Sequence, residues 1–213
     1  MTRVLLIRHG ESLANRQSIF AGQINPPLTD LGKTQAERTA KFIKENYTVD
    51  AAYASDLDRA WETGLAAANA LGLPLHKEPG FREIHAGQWE GQRFDNLNES
   101  TPAEYLCWFR DIGNAVCPGG ESTAQLADRV FRTLEAVCEK HPDQTVLIAT
   151  HATPIRTLMW RLTGQPLSYM QQVPWVSNAS VTEICYENGT LTPVKISQDS
   201  HLSDIKTELP ANI

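Results

Sequence analysis

The chain has 213 residues, with 19 lysines and arginines against 25 aspartates and glutamates, a net charge of −6. That length suits a single domain able to bury a sizeable core without disulfide or metal staples. The acidic balance argues against partners that are nucleic acids or membrane surfaces, so an arginine aimed at an anion must act locally.

The elements read as follows in chain order. Residues 3–7 form a buried strand that runs straight into Arg8. Its apolar run, residues 4–7, is too short for a signal-peptide core or a bilayer span, and the expected location is the cytoplasm. Pro27-Leu28-Thr29 then sets up a helix over residues 30–45, capped by Thr29 and stopped by Asn46. A second strand covers residues 49–54. Ser55-x-x-Asp58 resembles a capping box opening an alanine-rich helix that ends at Gly72.

Residues 80–101 read as loop, rich in Gly, Asn and charge, and residues 102–112 as a short helix. Ser122-x-x-Gln125 is a stronger capping box, followed by apolar residues at helical spacing as far as His141-Pro142. Residues 145–150 form a third strand, and Pro154 sits in the first turn of a helix closing at Gly164. Residues 181–186 and 190–196 flank Asn188-Gly189 and read as a hairpin. Residues 197–213 show no firm period and are expected to be a surface tail. Alternating strands and helices predict an α/β fold, read as one domain over residues 1–213.

Three strand ends carry the chemistry. The first runs into Arg8-His9-Gly10-Glu11-Ser12, the second into Ser55-Asp56-Leu57-Asp58-Arg59, and the third into Thr150-His151-Ala152-Thr153-Pro154. Ligands of open α/β sheets bind beyond the carboxyl ends of parallel strands. If the three strands are parallel neighbours, two imidazoles and two guanidiniums meet at one edge, a constellation suited to a phosphoryl group. Arg59 in the first turn of a helix opposes the helix dipole, by about 0.3–1 kcal/mol, unless an anion shares the site.

These segments resemble the histidine phosphatase superfamily, also called the phosphoglycerate-mutase-like family. Leu6-Ile7-Arg8-His9-Gly10-Glu11-Ser12 with Asn15 is similar to its opening signature. Further matches follow in family order: Gly22 with Pro27-Leu28-Thr29, then Gly32 and Gln35-Ala36; Ala54-Ser55-Asp56-Leu57-x-Arg59-Ala60-x-x-Thr63; and Phe81-Arg82-Glu83-Ile84-x-x-Gly87-x-Trp89-Glu90-Gly91. Pro118-Gly119-Gly120-Glu121-Ser122, Ala149-Thr150-His151 and Asn178-Ala179-Ser180-Val181 complete the set.

The resemblance implies a three-layer α/β/α sandwich with a mostly parallel central sheet. It implies that His9 is phosphorylated during turnover, that Arg8, Arg59 and a protonated His151 hold the phosphoryl group, and that Glu83 donates the proton. Ser12, Asn15, Gln23 and Ala152 fall where the family adds phosphate or pocket contacts. Glu83 needs a raised pKa for its task, expected from partial burial beside Trp89 or another apolar group.

Two departures stand out. Ala152 occupies the place of a usual Gly after the second histidine, so its methyl could crowd the phosphate. Ile84-His85-Ala86-Gly87 replaces the Arg-x-Tyr-Gly element that mutase members show after the acid. The second favours metal-independent hydrolysis of a small phosphate ester over a mutase reaction. The alternatives left open are phosphoglycerate mutase-type transfer and a catalytically weak phosphate-binding protein.

Other phosphatase chemistries fit poorly. A D-x-D-x-T site needs Thr where Ala60 stands, and none of Cys107, Cys117, Cys138 and Cys185 satisfies C-x₅-R or C-x-x-C. No P-loop motif is present. No cofactor or metal is expected, and the sequence leaves a homodimer open.

Overall fold

The computed structural model describes residues 1–207, the side chain of residue 98 excepted. The first strand, β1 (Thr2–Arg8), is apolar from Val4 through Ile7 because both of its faces are covered. Val4 and Leu6 join one apolar cluster while Leu5 and Ile7 join another, as the period-two alternation of a strand requires.

A short helix α1 (Leu13–Gln17) follows, then α2 (Asp30–Asn46), β2 (Ala51–Ala54), α3 (Asp58–Leu71) and β3 (Leu75–Lys77). Two small helices, α4 (Phe94–Ser100) and α5 (Pro102–Arg110), precede α6 (Thr123–Lys140), β4 (Thr145–Thr150) and α7 (Ala152–Arg161). The chain closes its sheet with β5 (Val181–Glu187) and β6 (Thr190–Gln198). Asn188 and Gly189 between them both have positive φ, 48° and 78°, as a two-residue hairpin turn demands.

Among the described residues the sheet has six strands in the order β3-β2-β4-β1-β5-β6. The first four are parallel to one another, and the β5–β6 hairpin adds an antiparallel edge to β1. Helices cover both faces. Ala40 and Ile43 of α2 and Ala67 and Ala68 of α3 pack on Leu5, Ile7 and Leu147. Leu126, Val130 and Leu134 of α6 and Ile155 and Leu158 of α7 pack on Val4, Leu6 and Ile148. This is the three-layer α/β/α arrangement with a mostly parallel sheet. Truncating a side chain such as Leu6, with no exposed surface, costs about 2–5 kcal/mol.

Local signals behave as their chemistry predicts in several places. Thr29 caps α2 by accepting from Gly32 N, and Ser122 and Gln125 form a reciprocal box at α6. Gly72 ends α3 in the left-handed region.

Four expectations need correction. Ser55 and Asp58 form no capping box: Leu57 is the N-cap of α3, without a side-chain bond, and the Ser55 hydroxyl is used elsewhere. The second strand begins at Ala51, two residues later than its apolar pattern suggests. The segment 80–101 is not all loop, since it holds two 3₁₀ turns and α4. Finally, residues 197–207 are no loose surface tail. β6 runs to Gln198, Leu202 is fully buried, and the Gln35 amide donates to Ile205 O at 2.8 Å and Thr207 Oγ1 at 2.9 Å. Arg38 and Asp204 also pair across this contact. The rest of the expected tail, residues 208–213, lies outside the described residues.

Candidate active site

The carboxyl ends of β1, β2 and β4 converge because the three are parallel neighbours, in register from Arg8 opposite Thr150 to Ala54 opposite Ala149. His9, one residue past β1, is held by its backbone: His9 N donates to Thr150 O at 3.0 Å, and His9 O accepts from Ala179 N at 3.2 Å and Asn178 Nδ2 at 3.0 Å. Ala179 has φ of 57°, an uncommon conformation for a residue with a side chain, and the same bond helps fix it.

The His9 ring has a defined orientation. Nδ1 lies 2.7 Å from Gly10 O, so it carries the proton and donates, leaving the lone pair on Nε2. Nε2 accepts from Arg59 Nε at 3.3 Å. Burial, then the charges of Arg59 and Arg8, hold the imidazole pKa well below its usual value. His9 is therefore neutral, as attack on phosphorus requires.

Arg59 enters from the first turn of α3 and is buried. Its two terminal nitrogens donate to Ile24 O at 2.8 Å and Gly22 O at 2.7 Å, tying the 22–24 loop to the site. Arg8, the last residue of β1, is also buried and donates to Val176 O at 2.5 Å, while its Nε has no protein partner among the described residues. Loss of water lowers both guanidinium pKa values to about 10, and both stay charged at neutral pH.

His151 stands at the N-terminus of α7, fully buried, its ring centre 5.2 Å from that of His9. Its Nε2 is 2.8 Å from Ser55 Oγ, and its Nδ1 is without a protein partner among the described residues. Ser55 Oγ accepts from Leu57 N at 3.3 Å. The expectation of a protonated His151 does not hold for the ligand-free site. Burial, followed by the charge of Arg59, keeps this ring neutral too.

Glu83 lies in the segment between β3 and α4, half-buried on the cavity wall. Its Oε1 accepts from its neighbour Ile84 N at 2.8 Å and its Oε2 from Thr153 N at 3.4 Å. Loss of water outweighs these bonds and raises its pKa. Trp89 is fully buried behind the cavity, packed on Phe20 with ring centres 5.5 Å apart, and Phe20 rather than Trp89 lines the cavity with Glu83.

The remaining expected residues divide. Ser12 and Asn15 line the cavity but also cap α1 reciprocally; Asn15 Oδ1 accepts from Ser12 N, Ser12 Oγ and Asn178 Nδ2. The Asn15 amide nitrogen is thereby left facing no intramolecular acceptor among the described residues. Ala152 lines the cavity as the first residue of α7, and its methyl leaves the next N–H, that of Thr153, aimed at Glu83. Gln23 is not on the cavity wall. Both ends of its amide are occupied, donating to Glu83 O at 3.1 Å and accepting from Arg82 Nη1 at 3.4 Å, so it braces the Glu83 segment.

Sequence reasoning missed Ser55 and Asn178 as site residues. Both lay inside quoted motif blocks, but their partners are far away in the chain, and only a tertiary structure supplies them. Ser12-x-x-Asn15 was readable as a capping pair. Among the described residues no group of three or more His, Cys, Asp or Glu is gathered to hold a metal ion, and no helix is long and apolar enough to cross a membrane.

The chain is similar to known phosphatases in sequence and fold. The chain is 31% identical to phosphoserine phosphatase 1 of Hydrogenobacter thermophilus over 98% of both chains. It superposes on Bacillus stearothermophilus YhfR with a TM-score of 0.90 at 28% identity, covering 95% of this chain and 100% of the other. The mycobacterial glucosyl-3-phosphoglycerate phosphatase, solved with vanadate, gives 0.85 at 26% identity over 92% of this chain and 98% of the other. Residues 4–199 match the family description itself, and the chain belongs to the histidine phosphatase superfamily, branch 1.

Proposed function

We propose that this histidine phosphatase hydrolyses small phosphomonoesters through a phosphohistidine formed at His9 Nε2, with no metal ion. The observation that carries the reading is the ring of His9: Nδ1–H is fixed on Gly10 O, and the Nε2 lone pair sits in a buried cavity beside the Arg59 guanidinium.

Phosphoryl transfer asks chiefly for in-line positioning and stabilisation of charge on the equatorial oxygens. Two buried groups without protein partners among the described residues, Arg8 Nε and His151 Nδ1, are the ones a phosphoryl oxygen satisfies on binding. A neutral His151 that accepts the Ser55 hydroxyl proton at Nε2 carries its own proton on Nδ1 and donates from there. The incoming ester takes over the Arg59 Nε–H now donated to His9, freeing Nε2 for attack.

In the first step the His9 nitrogen–phosphorus bond forms as the ester phosphorus–oxygen bond breaks. The alkoxide takes the proton of the Glu83 carboxyl, whose pKa burial raises. In the second step a water attacks the phosphohistidine, gives a proton to Glu83, and releases inorganic phosphate, restoring neutral His9. Splitting the hydrolysis in this way replaces one hard displacement by two easier ones.

The test is a quenched-flow trap. Mixing the protein with p-nitrophenyl phosphate in EDTA and quenching in alkali is expected to yield one acid-labile, alkali-stable phosphoryl group on the peptide containing His9. His9→Ala is expected to give neither adduct nor turnover. Full turnover by His9→Ala, or loss of activity in EDTA, would refute the reading.

A further inference from the structure

Beyond the phosphate cradle the cavity has a second wall, and its chemistry is one-sided. Ile19, Phe20, Phe94, Trp108 and Trp175 line it, whereas the charged lining residues are Arg8, Arg59 and Glu83 alone. All three belong to the phosphoryl chemistry. No further lysine, arginine or carboxylate among the described residues lines the cavity to meet a charged leaving group.

The aromatic wall is held rigid from behind. Phe20 packs edge-on against Trp108 at 5.1 Å and Phe94 at 5.6 Å between ring centres. The guanidinium carbon of Arg156 sits over the Trp175 ring, 3.9 Å from its centre. Arg156 is buried and tied by hydrogen bonds to Val173 O and Met170 O, so the cation cannot swing away. Phe20 and Trp108 are buried core residues and would need no ligand to justify them. Trp175 and Phe94 are only half-buried, and their remaining surface borders the cavity. A pre-organised apolar surface beside a site for one charged group selects partners by apolar contact.

We infer that the leaving-group subsite takes an uncharged apolar or aromatic alcohol, so that the preferred esters are of the benzyl phosphate kind rather than phosphorylated amino acids or phosphoglycerates. The inference rests on the hydrolytic reading for its substrate but on the wall alone for its selectivity. Ser12, Asn15 and Thr153 are neutral polar lining residues, so against Phe94, Trp108 and Trp175 an amino-acid ester would find no charged partner for its ammonium and carboxylate, and leaving such groups poorly paired is what makes a site reject a ligand.

Selectivity is measured first by calorimetry with phosphonates that cannot be hydrolysed: benzylphosphonate, methylphosphonate and L-2-amino-4-phosphonobutanoate, a stand-in for phosphoserine. Benzylphosphonate is expected to bind about tenfold or more tightly than either of the others. Equal or tighter binding of the amino-acid phosphonate overturns the inference. Phe94→Ala and Trp175→Ala are each expected to narrow the benzyl-to-methyl ratio about threefold or more, with Phe94→Ala free of the Arg156 contact. An unchanged ratio in both also overturns it.

Turnover is compared next between benzyl phosphate and phosphoserine, both of which release an alkoxide, so leaving-group acidity does not decide the result. Selective benzylphosphonate binding without hydrolysis of benzyl phosphate would sink the hydrolytic reading and uphold the subsite. Hydrolysis that depends on His9 but favours phosphoserine would do the reverse.

Discussion

The hydroxyl of Ser55 lies 2.8 Å from Nε2 of His151, linking the end of β2 to the start of α7 across 96 positions of sequence. With Leu57 N–H already donated to Ser55 Oγ, the hydroxyl is free to give its proton to the ring. The bond fixes which nitrogen of His151 faces a ligand, and Ser55 is a positioning residue. Ser55→Ala is expected to lower kcat/KM about ten- to a hundredfold, chiefly in kcat, because a misplaced donor loses charge stabilisation in the transition state. Ser55→Thr keeps the hydroxyl and should recover most of the loss. Nitrogen-15 chemical shifts of the imidazoles would report the tautomer directly. A wild-type kcat in Ser55→Ala refutes the role.

Glu83 shows how burial creates a proton donor. With its carboxyl drawn out of water, its pKa rises above that of an ordinary glutamate, so the acid form persists toward neutral pH. As pH climbs through that raised value the donor is lost, and kcat/KM for alkyl phosphates should fall on the alkaline side. Glu83→Gln is expected to remove this limb and to cost roughly 10²–10⁴-fold for alkyl esters. Its loss should be far smaller for p-nitrophenyl phosphate, whose phenolate leaves without a proton. Equal losses for the two esters would exclude Glu83 as the acid.

The same burial has a consequence for stability. His9 and His151 both sit well below the usual imidazole value of 6.5 in the fold, so the unfolded chain binds their protons first as pH drops. Their contribution is complete above about pH 6.5 and is lost downward from there, each at no more than about 1.4 kcal/mol per pH unit. Glu83 opposes this, since its raised pKa favours protonation in the folded state. Two imidazoles against one carboxyl predict a net fall in Tm between pH 7 and pH 5. His151→Asn, which cannot titrate, should flatten that fall in scanning calorimetry. An identical pH slope in the variant would show that the ring titrates alike in the folded and unfolded chain, against the neutral buried ring.

Much of this site was legible because its residues sit at strand ends, where a local apolar run stops at a charged or imidazole side chain. Arg8, His9, Arg59 and His151 follow from that rule together with parallel pairing. Helix caps at Thr29 and Ser122 were equally local. What stayed hidden depends on isolated tertiary contacts. Leu202 is one buried residue without periodic neighbours, and the bond from Gln35 of α2 to Ile205 O joins positions 170 residues apart. α4 is built largely from Asn, Asp, Glu and Ser around the buried Leu97, a composition that reads as loop until packing overrides propensity. Trp89 and Phe20 are indistinguishable in sequence, and only their placement tells which faces the cavity.

Gly32 tests whether the backbone behind His9 is as tightly constrained as the geometry requires. A Cβ on Gly32 would fall 2.0 Å from Glu11 O, and one on Gly10 would fall 2.3 Å from Gly32 O, so α2 presses directly on the segment that carries the nucleophile. The contact is reinforced by Thr29 N to Glu11 O at 2.9 Å and by Glu11 N to Gln35 Oε1 at 2.8 Å. Gly32→Ala must therefore displace the 10–11 backbone, at a cost of about 1–3 kcal/mol. At about 2–4 °C per kcal/mol for a chain of this size, the loss is readable as a lower Tm. Because Gly10 O holds His9 Nδ1, the shift should also lower kcat. Gly72→Ala supplies the contrast: at φ of 72° it strains the end of α3, yet its Cβ meets nothing within 4 Å. It should lose stability by about 1 kcal/mol and keep its kcat. A Gly32→Ala protein with reduced Tm but wild-type kcat would show that the His9 ring does not depend on this contact for its orientation.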